Sequence, residues 1–159
     1  MERRQKEVRQ AFEEKFPDKI RSEVIRIQTD GNLQRFSFSD EILFDGSRAE
    51  LKVKGIKILM DIGDILQDWN RMYQRIQING HTDNRPIHTE RFSSNWELSS
   101  ARAIAVLRLF VDRLNIDPQK LLATGYGEFH PVAGNETDLG RSKNRRIEII
   151  LVYSEKEYK

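Results

Sequence analysis

Alternating apolar and polar positions identify a first set of segments as β-strands. Residues 24–28 and 33–38 both alternate, and residues 29–32 between them tolerate the backbone of a tight turn, so this region predicts a β-hairpin. Three later segments, rich in apolar and β-branched residues, predict strands at 75–79, 121–124 and 147–153. We therefore expect five strands, of which the first two are antiparallel.

Apolar residues three or four positions apart identify helices around these strands. This spacing runs from Leu51 to Trp69, and again through a helix that starts near residue 94 and reaches Leu114. Residues 2–16 form a further predicted helix, which is highly charged and has one narrow apolar seam of Val8, Phe12 and Phe16. Because so narrow a seam is unusual for a core helix, we expect a solvated linker helix that packs lightly on the domain or on a second copy.

Polar residues mark where these helices begin and end. Ser47 with Glu50, and Ser94 with Glu97, have the S-x-x-E spacing of a capping box, which predicts a helix start at each serine. Asn115 suits the left-handed position that follows a helix, with Ile116 as its apolar follower. The Asp-Pro pair at 117–118 predicts the start of a further short turn.

The order of these elements predicts a two-layer α/β sandwich. The hairpin is antiparallel, whereas connections of helix length make neighbouring strands parallel, so the sheet should be mixed with the helices on one face. We assign residues 1–20 to the charged linker helix, residues 21–153 to the domain and residues 154–159 to a charged tail.

Composition mainly excludes functions. The 27 Lys and Arg residues nearly balance the 25 Asp and Glu residues, so no strong overall field favours nucleic acid or an anionic membrane. The absence of cysteine excludes disulfides, thiolate metal sites and cysteine nucleophiles. No apolar run approaches the roughly 18 residues that span a membrane, and charged residues rather than a signal peptide follow Met1.

Asp83 and Arg102 are the first candidates for a binding site. Asp83 follows the end of a predicted strand, and Arg102 lies on the second turn of the helix that comes next, so both approach the same edge of the sheet. An acid and a base held near each other suit a zwitterion, whose carboxylate would bind the guanidinium and whose ammonium would bind the carboxylate. The spacing alone is at least as well explained if the two side chains pair only with each other, or if Asp83 caps a turn.

Other polar residues have weaker claims. Asn95, at the start of the helix, could turn its amide towards an anionic ligand, and Trp96 is expected to cover the core. The cluster of Arg141, Lys143, Arg145 and Arg146 could bind phosphate or form a solvated rim, and no aromatic residue is interleaved as a nucleic-acid site would need. His81 and Asp83 have a spacing that is common by chance, so no metal site is expected. A hydrolase built on Ser93 or Ser94 lacks a nucleophile elbow.

Four ordered motifs make the chain similar to a known family. They are G-H-T-D-N at 80–84, S-N-W-E-L-S-S-A-R-A at 94–103, G-Y-G-E at 125–128 and G-R-S-K-N-R-R-I-E at 140–148. Together they resemble the OmpA-like peptidoglycan-binding domain. The S-N-W-E-L-S run resembles the MotB branch of that family, the peptidoglycan-anchoring subunit of ion-driven motors. The resemblance extends over residues 36–152 and implies an OmpA-like sandwich.

The resemblance also implies a ligand and the residues that bind it. By motif match, Asp83 would hold the ammonium of the diaminopimelate-type residue in a peptidoglycan stem peptide, and Arg102 would hold its carboxylate. The same groove would be lined by Thr82, Asn95, Leu98, Asn144 and Arg145. The resemblance implies no catalysis, cofactor or metal, and we expect Arg146 to be structural or at the surface.

Beyond the site, the resemblance implies a place in a larger machine. Proteins of the MotB type have an N-terminal membrane helix with an ion-carrying acid, and no such helix is found in these residues. We therefore expect a periplasmic fragment of an inner-membrane protein, with residues 2–16 ending the linker that follows the membrane helix. The family further implies a MotA-like membrane partner and a homodimer, to which the apolar seam of residues 2–16 could contribute.

Several functions remain open at this point. A flagellar stator and a related motor such as the Zorya-type phage-defence complex both fit the leading hypothesis, an anchor that ties an ion-driven motor to the cell wall. A passive tether between the outer membrane and peptidoglycan is the alternative within the family. A cell-wall hydrolase or a nucleic-acid-binding module is less favoured, because neither has a supporting motif.

Overall fold

Residues 1–155, which the computed structural model describes, contain the five strands expected from the sequence. They are β1 (Ile25–Asp30), β2 (Leu33–Ser39), β3 (Arg75–His81), β4 (Leu121–Gly125) and β5 (Arg146–Val152). The sheet order is β1-β2-β5-β3-β4, in which β3 and β4 are parallel and the remaining neighbours are antiparallel. The predicted mixed sheet is confirmed, and the last strand in sequence lies at its centre.

The helices are α1 (Glu2–Lys15), α2 (Pro17–Arg21), α3 (Val53–Asp68), α4 (Asn95–Leu114) and α5 (Asp138–Asn144). Side chains of α1, α3 and α4 join the apolar face of the sheet in one core, which confirms the two-layer α/β sandwich. On the sheet side this core is built from alternate residues of the central strands, Phe36, Phe38, Ile76, Ile78, Ile147 and Ile149. The boundaries assigned at residues 20 and 153 stay predictions, and residues 156–159 of the proposed tail lie outside the described residues.

The N-terminal helix is more deeply integrated than its narrow seam indicated. Val8 and Phe12 are fully buried, and the Phe12 ring stacks on Phe36 of the sheet with 4.0 Å between ring centroids. Polar residues of α1 add to the attachment, since Gln5 donates a hydrogen bond to Gly31 O and accepts one at its own carbonyl from Gln34. The expectation of light packing was wrong, because three large side chains suffice when they enter an existing core. The seam is therefore unavailable to a second copy.

Three of the four predicted helix boundaries are set as the local motifs indicate. Ser94 is the N-cap of α4, and its Oγ accepts a hydrogen bond from the backbone N–H of Trp96 at 3.1 Å. At the other end, Asn115 adopts the left-handed conformation with φ of 54°. Asp117 likewise accepts a hydrogen bond from the N–H of Gln119 and starts a short 3-10 turn.

Other local expectations were wrong. Helix α3 begins at Val53 instead of Ser47, because Phe44 and Leu51 form a β-bridge and the N–H of Lys52 bonds to Leu43 O. Trp96 is 48% exposed and stacks on Phe129 instead of covering the core. Helix α5 is a short helix that was not predicted from the sequence, and the Thr137 side chain caps it.

Two glycines allow α4 to approach the sheet closely. A Cβ atom at Gly80 of β3 would lie 2.2 Å from Ser99 O, and one at Gly125 of β4 would lie 2.1 Å from Ser100 Oγ. Neither position could accept a side chain without moving the helix. This close approach places the first two turns of α4 beside the end of β3.

The face of the sheet opposite the long helices has a buried polar cluster, formed by His81, Arg146 and Glu148. His81 Nε2 and Glu148 Oε1 are 2.6 Å apart, and Arg146 Nε donates to Glu148 Oε2 at 3.3 Å. Arg146 also donates to the carbonyl of His130. These hydrogen bonds give Arg146 a structural role, as expected. In residues 1–155, no helix is both long and apolar enough to cross a membrane.

Candidate functional site

A groove opens where β2, β3 and β5 reach one edge of the sheet. Ser39 and His81 both lie opposite Arg146 in the sheet register, so the residues just beyond them meet at that edge. The first two turns of α4 form one wall. We call this the strand-end groove. It encloses about 510 Å³ and is lined by Asp40, Glu41, Phe44, Gly46, Ser47, Thr82, Asp83, Arg85, Pro86, Ile87, Asn95, Leu98, Arg102 and Arg145.

Asp83 has two arginine partners in the groove. Its Oδ2 accepts hydrogen bonds from Arg145 Nη1 at 2.7 Å and Arg85 Nε at 3.0 Å, and its Oδ1 accepts one from the Arg85 backbone N–H at 2.9 Å. Burial acts to raise the pKa of Asp83, but these hydrogen bonds outweigh it and hold the pKa below its ordinary value. Asp83 is therefore a carboxylate at neutral pH. The Arg85 side chain is 62% exposed, so it can leave without disturbing the core.

Arg102 is fixed more firmly than Asp83. Its Nη1 donates to Asp40 Oδ2 at 2.5 Å, its Nε donates to Arg48 O at 2.8 Å, and its Nη2 donates to Gly46 O at 2.5 Å. The guanidinium also lies over the Phe44 ring, 4.9 Å from the centroid. These three bonds use three of the five guanidinium N–H groups, so two remain for a ligand. The expectation that Asp83 and Arg102 share one edge is met, although they do not pair directly.

Arg145 connects the two ends of the groove. Besides Asp83, its Nη2 donates to Glu41 Oε1 at 3.2 Å, and its Nε lies 3.8 Å from Asp40 Oδ1. Burial lowers the pKa of Arg145, but the hydrogen bond with Asp83 and the charge of Asp40 outweigh it and raise the pKa. Asp40 Oδ1 is buried without a hydrogen-bond partner in the described residues. Burial raises the pKa of Asp40, with Arg102 acting in the opposite direction.

Three further candidates shape the groove around these charges. The Asn95 side-chain amide donates to Arg85 O at 3.0 Å and approaches Asp83 O at 3.4 Å, so it holds the loop that carries Asp83. Thr82 is anchored through its N–H to Gly127 O and through its hydroxyl to Asp83 O. Leu98 is buried on the α4 wall and supplies apolar surface.

Asn144 does not reach the groove. Its side-chain oxygen accepts hydrogen bonds from the N–H groups of Val132 and Ala133, and its side-chain nitrogen donates to Ala133 O and Asn135 Oδ1. All four bonds hold the loop at residues 132–135. The expectation that Asn144 lines the groove was wrong, because the α5 helix turns this side chain towards the loop.

Three charged lining residues, Asp40, Glu41 and Arg85, were missed from the sequence. Asp40 follows β2, and its place beside Arg102 depends on the sheet order, which periodicity does not reveal. Arg85 lies in a loop without any regular pattern. The one available signal was that Asp40, like Asp83, comes directly after a predicted strand.

Charge balance decides what the groove can hold. Its lining contains three carboxylates, Asp40, Glu41 and Asp83, and three guanidinium groups, Arg85, Arg102 and Arg145. A simple anion or cation would meet as much repulsion as attraction in such a site. A zwitterion with separated charges can instead place its ammonium on Asp83 and its carboxylate on Arg102 or Arg145. The arrangement therefore suits a small zwitterionic group.

The histidines have other roles. His81 uses its Nε2 on Glu148 and stacks on Tyr126 with 5.1 Å between centroids. His88 is exposed and near Ser93 O. Within residues 1–155, no three His, Asp or Glu side chains are grouped so that they could hold a metal ion.

Comparison with known proteins adds a relationship in sequence. A family model described as the OmpA family matches residues 43–145. The chain is 38% identical over 116 residues to Motility protein B of Bacillus subtilis (strain 168), and this alignment covers 73% of the chain and 44% of that protein. The chain therefore spans less than half the length of this relative.

Solved structures give the same picture over nearly the whole chain. A MotB-like protein from Desulfovibrio vulgaris matches with a TM-score of 0.81 and 30% identity, covering 94% of this chain and 96% of that one. The cell wall anchor of the T6SS from Pseudomonas aeruginosa matches with a TM-score of 0.80 and 29% identity, covering 90% of this chain and 97% of that one.

Proposed function

The chain belongs to the OmpA family, and from this premise we propose that it is a noncatalytic peptidoglycan-binding domain that anchors an ion-driven membrane motor to the cell wall. Two proteins similar to this chain support the proposal by their names, one for motility (Motility protein B) and the other for anchoring to the cell wall (the cell wall anchor of the T6SS). The observation that carries the proposal is the charge-balanced strand-end groove, with Asp83 and Arg102 on its two sides.

The ligand that fits this groove is the diamino acid of a peptidoglycan stem peptide. A diaminopimelate-type residue has a free ammonium and a free carboxylate on one carbon, which is the zwitterion that the groove suits. We assign the ammonium to Asp83, where it replaces Arg85, and the carboxylate to the free N–H groups of Arg102 and to Arg145. Thr82, Asn95 and Leu98 hold the walls in place.

Binding without catalysis is the reading that the groove favours. Every carboxylate in it is paired with an arginine, so none is placed as a general base with a poised proton. As in the MotB branch, we place the domain in the periplasm, with a MotA-like partner reached through a membrane segment. A homodimer remains part of the proposal, through a surface other than the buried seam of α1.

Co-sedimentation with purified peptidoglycan sacculi tests this proposal. Wild-type protein should sediment with the sacculi, and Asp83→Asn should stay in the supernatant because a neutral amide does not bind the ammonium. Asp112→Asn is the matched control, since Asp112 pairs with Arg108 on the exposed side of α4 and should sediment like the wild type. Arg102→Ala is a poorer test, because it leaves Asp40 buried without its partner and can unfold the domain.

Two results would count against the proposal. Sedimentation of Asp83→Asn at the wild-type level would remove the site assignment. Release of soluble muropeptides from sacculi by the wild type would favour a hydrolase instead.

A further inference from the structure

A second groove lies beside the strand-end groove and is strongly basic. It encloses about 660 Å³ between the end of α1, α2 and the first turns of α3. Five lysines surround it, namely Lys15, Lys19, Lys52, Lys54 and Lys57, against two lining carboxylates, Glu41 and Asp61. We call it the lysine groove. Its positive charge contrasts with the balanced strand-end groove.

Most of this positive charge is available to a ligand. Lys15 lies 3.8 Å from Asp61 and Lys52 lies 3.6 Å from Asp45, which are both loose ion pairs. Lys19, Lys54 and Lys57 make no ion pair with any residue in the 1–155 range. Three ammonium groups therefore border the groove without a neutralising partner.

The two grooves meet at Glu41, which lines both. Its side chain accepts a hydrogen bond from Arg145 Nη2 on one side, and its backbone carbonyl accepts one from Lys52 Nζ at 3.0 Å on the other. Because Glu41 borders both grooves, a ligand that extends from the strand-end groove past this side chain would reach the lysine groove. The occupants of the two grooves can therefore be parts of one molecule.

We propose that the lysine groove binds the carboxylates that flank the diamino acid of the stem peptide, as an extension of the strand-end groove. This inference rests on the proposed function. A stem peptide has a glutamyl α-carboxylate before the diamino acid and, in the tetrapeptide, a D-alanine carboxylate after it. Each is eight or nine bonds from the zwitterionic carbon, which is the length of about three extended residues, or ~10 Å. Either one would meet the lysines, and the balanced strand-end groove offers it no unpaired cation.

The shape of the lysine groove favours a peptide over a membrane surface. Phe16 in its floor is 6% exposed and is recessed below the lysines. A face that enters a bilayer has its apolar side chains outermost and its cations around them. A recessed apolar floor instead suits the methylene groups of a peptide whose carboxylates reach up to the lysines.

Calorimetric titration with defined peptides tests this inference. The probes are L-alanyl-γ-D-glutamyl-meso-diaminopimelate, the same tripeptide with its glutamyl carboxylate amidated, and the tetrapeptide that adds a terminal D-alanine. Lys54→Gln/Lys57→Gln should bind the tripeptide or the tetrapeptide about three- to tenfold more weakly than the wild type, the range of a partly exposed charge interaction. The effect should shrink as salt is added, because exposed charges are screened.

The probes also separate the two carboxylates. If the glutamyl carboxylate is the one bound, its amidation should weaken binding to the wild type and leave binding to Lys54→Gln/Lys57→Gln unchanged. If the terminal carboxylate is bound, the tetrapeptide should lose the most in the variant. Lys6→Gln/Lys143→Gln removes the same charge from α1 and α5, away from both grooves, and should bind every probe like the wild type.

Three outcomes would overturn the inference. The first is equal affinity of wild type and Lys54→Gln/Lys57→Gln for all three probes, while Asp83→Asn still loses binding; this leaves the proposed function intact. The second is that Lys54→Gln/Lys57→Gln binds the peptides like the wild type but loses binding to phosphatidylglycerol vesicles, which would make the lysine groove a membrane contact. The third is that the wild type binds none of the peptides, which removes the proposed function as well.

Discussion

Two clusters of charged residues lie near the ends of the same strands. They differ in whether a charged side chain can exchange its ion-pair partner for a ligand. In the strand-end groove, Asp83 pairs with Arg145 and with the exposed Arg85. On the opposite face of the sheet, Glu148 pairs with His81 and Arg146, and all three are buried. The neighbouring residues Arg145 and Arg146 therefore have different roles. Arg145 lines the strand-end groove, whereas Arg146 belongs to the buried cluster on the other face of the sheet.

Electrostatics separates the two clusters further. Burial acts to raise the pKa of Glu148, but the hydrogen bond with His81 and the charge of Arg146 lower it to about 2. Burial lowers the pKa of His81, so the ring is neutral and donates from Nε2. In this cluster every group depends on the others for its charge state. In the groove, a ligand ammonium can replace Arg85 at little cost, because Arg85 returns to water.

The largest expected effect comes from removing the acid of the buried cluster. Glu148→Gln leaves Arg146 buried without a counter-ion, which should lower the free energy of unfolding by about 3 kcal/mol. Urea unfolding followed by circular dichroism measures this loss. Stability within about 0.5 kcal/mol of the wild type would show that the buried cluster is not structural.

Lowering the pH should destabilise the protein through the same cluster, with a loss in the free energy of unfolding of similar size. The folded pKa of Glu148, about 2, is below its ordinary 4.5, so its contribution to stability is present above pH 4.5 and is lost as the pH falls towards 2. That shift corresponds to about 3 kcal/mol. The pKa of His81 is also lowered from 6.5, so its protonation adds a loss of stability that begins below pH 6.5. Protonated His81 would place an unpaired N–H at its buried Nδ1.

Unfolding measured from pH 7 to pH 3 checks this dependence. Glu148→Gln should have a flatter profile than the wild type below pH 4.5, because its side chain does not titrate. Parallel profiles for the two proteins would place the acid-sensitive group elsewhere.

The smallest effect concerns the exchangeable partner in the groove. Arg85→Ala removes the side chain that competes with a ligand ammonium for Asp83, so binding of the tripeptide should tighten about two- to fivefold, as expected for an exposed ion pair. Stability should change by less than about 0.5 kcal/mol. The control is Arg91→Ala, which removes an exposed arginine paired with Glu50 outside the groove. Weaker binding by Arg85→Ala would mean that Arg85 contacts the ligand instead of competing with it.

The sequence predicted what depends on local pattern. Strands β1 to β5, helix α4 and the caps at Ser94 and Asn115 follow from periodicity and from single residues whose backbone preference is strong. The meeting of Asp83 and Arg102 at one edge also followed, because a strand and the helix after it determine it. These features need no knowledge of which strands are neighbours.

Features that depend on sheet order were missed. Asp40 reaches Arg102 because β5 lies between β2 and β3, and that order came only with the structure. The start of α3 moved to Val53 because a tertiary bridge at Phe44 competes with the Ser47 cap. The burial of α1 likewise depends on an apolar site in the core next to Phe36, which cannot be predicted from the sequence of α1.

The most direct test of the comparison is to measure binding and stability of Asp83→Asn in one experiment with the tripeptide. We predict that calorimetric titration will detect no binding, while the free energy of unfolding stays within about 1 kcal/mol of the wild type, because Arg145 keeps Asp40 and Glu41 as neighbours. Wild-type affinity in Asp83→Asn, or a loss of stability as large as that of Glu148→Gln, would contradict the claim that the groove charges serve a ligand.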